Sequence, residues 1–244
     1  MQQLLATDHL AETLEHIDRH WEEKRKAATN RLSPASRLLT IALSREAGTQ
    51  GTPVALEVGK RLGWPVYDHE LLERVARDMG VHTRLLESVD EKRTSWLLEA
   101  FEGFMSGPRV SESAYVSRLV KTVLALGAYG ECVIVGRGSA LILPAETTLR
   151  VRLIAPIKDR IAAFNQRLGV PNEQARRQLA VVDHERNNFI RDHFFKDPAD
   201  PRHYDLILNF ARYGVSGCAG LILSALENLR NRNLRGRPPR GTGV

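Results

Sequence analysis

Apolar residues recur along this chain in two alternating rhythms: short unbroken runs bounded by glycine or proline, and longer stretches with an apolar residue every third or fourth position. The first is the pattern of strands buried on both faces and the second that of amphipathic helices. Leu38, Leu39, Ile41, Ala42 and Leu43 predict the first strand. Pro65, Val66 and Tyr67 predict a short second strand, ECVIVG from Glu131 a third, Leu149 to Ala155 a fourth, and YDLILNF from Tyr204 a fifth. Helical patterns fill the intervals. One opens near Thr52, read as its N-cap, with Pro53 at the first helical position, where a missing N–H costs nothing. Another runs from Glu70 to Met79 and continues, almost wholly helical, to about Gly127, with a loop at 103–113. A dense basic series on helical spacing runs from Lys158 to about His193, and an amphipathic helix from Val215 to Leu229 closes the pattern. Strands alternating with helices predict an α/β fold with a five-stranded parallel sheet covered on both faces, ligands binding at the carboxyl ends of the strands.

Two segments lie outside this alternation. Residues 1–30 place Leu10, Leu14, Ile17 and Trp21 on one stripe, an amphipathic helix expected to dock on the body or on a second copy as a homodimer, and 31–37 reads as a linker. His16 and His20 stand four apart on that helix without a third ligand nearby, which favours packed or solvated histidines over a metal site. Residues 230–244, rich in Arg, Gly and Pro, predict a disordered tail.

Charge changes the picture only after it is located. The net charge is +6, yet Arg230, Arg232, Arg235, Arg237 and Arg240 all fall in that acid-free tail, and removing these five leaves about +1. The body is nearly neutral, so a high pI is no argument for nucleic acid, and an RNA role for the tail is unlikely beside a solubilising one. Cys132 and Cys218 have no metal-type spacing and read as buried thiols of a reducing compartment. No apolar run reaches the roughly 18 residues of a membrane span and no signal-peptide core precedes the fold, so the expected location is cytoplasmic and the expected partners exclude membranes.

The chemistry concentrates between Leu38 and Lys60, where strand, short loop and helix start follow one another. Gly48 and Gly51 allow Ser44 to Thr52 to turn tightly enough for backbone N–H groups to converge beneath a helix N-terminus, an anion site. The G-x-x-x-x-G-K-[ST] pattern is absent: its lysine position falls on Gly51 or Thr52.

Four segments together resemble the cytidylate kinase-like family of P-loop nucleoside monophosphate kinases: ALSREAGTQGTPVA, YDHELLERVA, VIVGRGSALIL and YDLILN. The likeness covers roughly residues 38–225, within a domain placed at 38–229. It implies a P-loop NTPase fold with a helical acceptor-side insertion at 70–127 and a lid at 157–195. It further implies phosphoryl transfer from ATP, with Mg2+, to CMP or a related small phosphate acceptor. Carried over position by position, Arg45, Gly48, Thr49, Gln50, Gly51 and Thr52 would hold the donor phosphates, with Thr49 or Thr52 the hydroxyl for the metal. Asp68, Arg74, Arg137, Asp183, Arg186 and Arg191 would contact the acceptor. Arg137, Arg160 and Arg167 would serve catalysis, since such transfer asks mainly for positioning and for positive charge on the equatorial oxygens.

Each of these residues has a plainer alternative. Asp68 suits an N-cap, Arg137 a salt bridge, and the arginines from 158 to 191 a solvated helix face. His69, His184, His193 and His203 read as structural or exposed. Glu46 puts a carboxylate near the phosphates, and the loop has no lysine. Arg45 or a lid arginine would have to compensate. Hence a second reading stands beside the kinase: a catalytically degraded kinase fold that senses a nucleotide or binds a protein.

Overall fold

The computed structural model describes residues 38–77, 99–102, 104–105 and 113–234. The N-terminal helix, the linker, residues 78–98 of the helical insertion, most of the 103–113 loop and the arginine-rich tail beyond residue 234 lie outside the described residues, as does the side chain of Arg74; residues 230–234, expected to open the disordered tail, are instead the end of the last helix.

All five strands form, and all pair in parallel. They are β1 (Thr40–Arg45), β2 (Val66–Tyr67), β3 (Val133–Val135), β4 (Thr148–Ile154) and β5 (Leu206–Asn209), in the spatial order β2-β3-β1-β4-β5. β1 is central because it is apolar on both faces. Ile41 and Leu43 pack into one core with Val133, Val135, Val151 and Leu153, while Ala42 joins the other with Ile134. Its register, Leu43 against Val135 on one side and Val151 on the other, brings Ser44 beside Arg152 and Arg45 beside Leu153 at the carboxyl edge.

Helices cover both faces. α1 (Gly51–Leu62) follows β1, and α2 (His69–Arg77) follows β2. α3 (Ala114–Tyr129) starts at Ser113, whose side chain accepts from the Val116 N–H, and buries Leu119, Val120, Val123, Leu124 and Leu126. α4 (Ser139–Ile142) is a single turn after β3. α5 (Ile157–Leu168) and α6 (Asn172–Phe194) form a hairpin after β4, broken where Gly169 takes a left-handed conformation. α7 (Phe210–Leu234) is interrupted at Gly214 and returns over α1. Among the described residues no helix is long and apolar enough to cross a membrane. Cys132 and Cys218 are both buried, as the sequence predicts.

The start of α1 departs from expectation. Thr52 is not the cap: Gln50 is, in a left-handed conformation (φ 45°, ψ 42°) and without a side-chain cap bond. The helix therefore begins at Gly51 and Pro53 is its third residue, where the N–H would still have no intrahelical partner. Gly51 is needed because a Cβ there would lie 2.7 Å from Arg45 Cγ. The stem of Arg45 occupies the space a side chain would take.

Leu43 is fully buried at the centre of the sheet. Leu43→Ala is expected to lower unfolding free energy by about 2–5 kcal/mol in urea titrations, with the slope unchanged.

Candidate phosphate-binding site

A cleft of about 410 Å³ opens at the carboxyl edge of β1, β3 and β4, walled by α4 and by α6. Arg45, Arg137, Arg152 and Arg186 line it, with His69 and Glu185.

The turn after β3 explains why it reads Gly-Arg-Gly. Gly136, Arg137 and Gly138 all have positive φ (80°, 50° and 75°). That sequence of left-handed residues is costly for anything but glycine. It is also sterically closed: a Cβ on Gly136 would strike Arg45 Nη1, and one on Gly138 would strike the Phe194 ring. Backbone and side chains thus leave Arg137 as the one residue of the turn that projects a functional group. Its guanidinium is ion-paired with Glu73 and lies 4.9 Å from the Phe189 ring centroid.

Two more of these arginines are less satisfied. Neither Arg45 nor Arg186 makes a side-chain hydrogen bond or ion pair with any described residue. Burial and then the charge of Arg186 pull the Arg45 guanidinium down to about 10, Asp68 pulls the other way, and Arg137 adds a smaller lowering. Burial first and Arg186 second lower Arg137, and burial lowers Arg186 against the pull of Asp183 and Glu185. All three remain charged at neutral pH, so the cleft holds mutually repelling cations that an anion would relieve.

Asp68 is an N-cap: its Oδ1 accepts from the Leu71 N–H at 3.0 Å, while its charge still acts on Arg45. His69, expected to be structural or exposed, lines the cleft and is held below its ordinary 6.5, first by burial and then by Arg45.

The loop between β1 and α1 is occupied by the protein's own groups. Asp183 Oδ1 accepts from the Ala47 N–H at 2.7 Å, and the Asp183 carboxylate is ion-paired with Arg160. Arg160 also donates to the Ala47 carbonyl at 3.3 Å, and a Cβ on Gly48 would lie 3.0 Å from Arg160 Cβ. Glu46 Oε2 turns away to accept from the Ala155 N–H at 3.1 Å. Thr49 is buried and its hydroxyl donates to the Glu46 carbonyl at 2.8 Å, so it faces inward. Thr52 is half-buried on the first turn of α1, and Gln50 is exposed. Under the hairpin, Ala47, Ile161, Ala175 and Leu179 form a small separate core that fastens α5 and α6 to the loop.

Arg167 and Arg191 are not brought to the cleft. Arg167 is exposed near the end of α5, 5.5 Å from the Phe164 ring, and Arg191 is exposed and 3.5 Å from Asp197. Among the described residues no three His, Cys, Asp or Glu side chains gather as a metal site. Magnesium held chiefly by phosphates and water needs only one or two protein oxygens. The chain fits it in that restricted sense: Thr52, half-buried on the first turn of α1, is the one of the two expected hydroxyls that would be able to hold it.

A parallel sheet in this order, a glycine loop between β1 and α1, and guanidinium groups at the strand ends define a kinase-type α/β protein. The sequence profile of the cytidylate kinase-like family matches residues 40–212, and the chain belongs to that family. Among 42 matching solved chains, an uncharacterized protein from Eubacterium ventriosum is 21% identical with a TM-score of 0.62, over 78% of this chain and 99% of its own. Shikimate kinase from Bacteroides thetaiotaomicron is 14% identical with a TM-score of 0.42, over 78% and 99%. Shikimate kinase from Acinetobacter baumannii, in complex with shikimate, is 17% identical with a TM-score of 0.41, over 81% and 96%. Those two superpose too loosely to bear on function. None of the curated proteins matches the chain.

Two outcomes are expected. Gly136→Ala should displace Arg45 and cost roughly 1–3 kcal/mol of unfolding free energy, measured by urea titration. His69 resists protonation when folded but accepts a proton near 6.5 when unfolded, so stability falls as pH drops through that value. His69→Gln should therefore lose less unfolding free energy than wild type between about pH 8 and pH 5.5.

Proposed function

We propose that this chain is a phosphotransferase of the nucleoside monophosphate kinase type, moving a phosphoryl group from ATP to CMP or a related small phosphate-bearing acceptor held in the arginine cleft. The observation that carries this reading is the pair of half-buried guanidinium groups, Arg45 and Arg186, that meet no hydrogen-bond or ion-pair partner among the described residues, beside Arg137 in the Gly-Arg-Gly turn. Planar, permanently charged groups match phosphate oxygens in pairs, and a water-poor cleft strengthens each contact. Arg137 would grip the acceptor phosphate. Arg45, whose stem crosses Gly51 and whose head lies on Gly136, spans from the loop to the acceptor end and takes the place of the absent lysine.

ATP would enter at Gly48 to Thr52 as a substrate. Its phosphates need the amides that Asp183 and Arg160 now screen, so entry requires α6 to release Ala47. Once it has, Arg160 would be free to turn from Asp183 to the donor phosphates, with Asp183 leaving the loop. Arg74 on α2, and Arg167 and Arg191 on the hairpin, would reach ligand only through such movement.

The expected result is ADP release in a coupled assay with ATP, Mg2+ and a panel of nucleoside monophosphates, with Arg137→Ala lowering kcat/KM by roughly a hundred- to a thousandfold. No turnover with any acceptor would overturn the transferase reading.

A second reading is favoured by the clasp of Asp183 on Ala47 and of Arg160 over Gly48: a kinase fold without turnover that binds nucleotide as a sensor. A ligand at about 100 times its Kd adds about 2.7 kcal/mol of stability. Thermal stabilisation by nucleotide with no ADP release would establish this reading in place of the first.

A further inference from the structure

The cleft contains one more cation than the site above uses. Arg150 and Arg152 are two residues apart on β4, so their side chains leave the same face of the sheet. Arg150 is neutralised by Asp205, to which it donates from Nε at 3.2 Å and from Nη2 at 2.9 Å. Arg152 is only 9% exposed and meets no acid among the described residues. Its Nη1 donates to Ser44 Oγ at 3.4 Å and to Tyr204 Oη at 3.2 Å, and its guanidinium lies 5.4 Å from the Tyr204 ring centroid. Tyr204 spends its own hydroxyl proton on the Pro198 carbonyl at 2.8 Å, which leaves an oxygen lone pair for Arg152 and fixes its orientation. Nε and Nη2 donate to no described group, and the side chain lines the same cleft as Arg45, Arg137 and Arg186.

A buried guanidinium held only by neutral hydroxyls and an aromatic face is electrostatically unfinished. Glu185 is the sole acid among the described residues that line the cleft, and it acts on Arg186 from the same helix. We infer that the cleft takes a ligand with two separate anionic groups: a phosphate at Arg45, Arg137 and Arg186, and a second phosphate or a carboxylate at Arg152. This rests on the reading of the cleft as a phosphate site and narrows the acceptor beyond it, because CMP carries a single anionic group. Arg152 is the specificity-determining residue, and Ser44 and Tyr204 position it.

The test is calorimetric titration of the full chain at low salt with two matched pairs of probes. These are glycerol phosphate against phosphoglycerate, and CMP against cytidine bisphosphate with its second phosphate on the ribose. In at least one pair the second anion is expected to tighten binding by about tenfold or more. Arg152→Met should erase that gain while leaving the single-anion member within about threefold of wild type, and Arg152→Lys should keep only part of it, because an ammonium keeps the charge but not the planar fork stacked on Tyr204. The pair that gains identifies the second group as carboxylate or phosphate. Equal affinity within both pairs, or a gain that survives Arg152→Met, overturns the inference. If Arg152→Met fails to fold, equal affinity within both wild-type pairs still overturns the inference, and a gain left undiminished in Arg152→Lys does so as well. Single-anion probes that bind, and are lost in Arg137→Ala, without any gain from the second anion would leave the phosphate site standing and remove Arg152 from it. If no probe binds, both readings fall.

Discussion

Three like charges held in one cleft repel one another, and the carboxyl edge of the sheet is built to hold them there. Arg45 ends the central strand and cannot retreat, because its stem lies across Gly51 and its head against Gly136. Arg137 is fixed by a turn of three left-handed residues, ion-paired with Glu73 on α2. Arg186 arrives from α6 on the far wall. Folding concentrates this charge only because apolar packing below it, around β1 and β3, is complete enough to bear the cost. A bound anion would relieve that repulsion.

The same helix that contributes Arg186 closes the loop. Asp183 and Arg186 are three residues apart on α6 and so share a face. One caps the Ala47 amide; the other charges the cleft. A displacement of α6 that frees the loop amides must also move Arg186. The two halves of the site are therefore mechanically joined through one turn of helix. Arg160, bonded to Asp183 and to the Ala47 carbonyl, is the pivot on the α5 side.

Much of the architecture could be read from the sequence, since uninterrupted apolar runs between glycine and proline have few uses besides buried parallel strands. All five strands were legible that way, and the family likeness rested on loops that the fold does bring to one edge. Misreadings arose where local rules met tertiary contact. Thr52 followed by Pro53 has the signature of a cap, yet Gln50 takes that place in a left-handed conformation. Thr49 looked like a metal hydroxyl and is turned inward to Glu46. Arg167 and Arg191 share the helical spacing of Arg186, and periodicity alone cannot tell which turn of a long hairpin faces a cleft. Arg152 and Tyr204 carry no motif, and their one signal in the sequence is the pair of arginines inside the buried run TLRVRLI: a charge in a central strand must have a reason. His69 has no partner motif in the sequence, and its position just beyond the end of β2 is the better guide to its place in the cleft.

The central claim is that Arg45, Arg137 and Arg186 form one anion site. Its most direct test is side-chain NMR of the arginine Nε–H groups while CMP is added at low and at high salt. The account predicts that these three resonances shift together along a single binding curve, and that the curve weakens as salt rises. Shifts confined to the loop amides of Gly48 to Thr52, or no common curve for the three guanidinium groups, would contradict it.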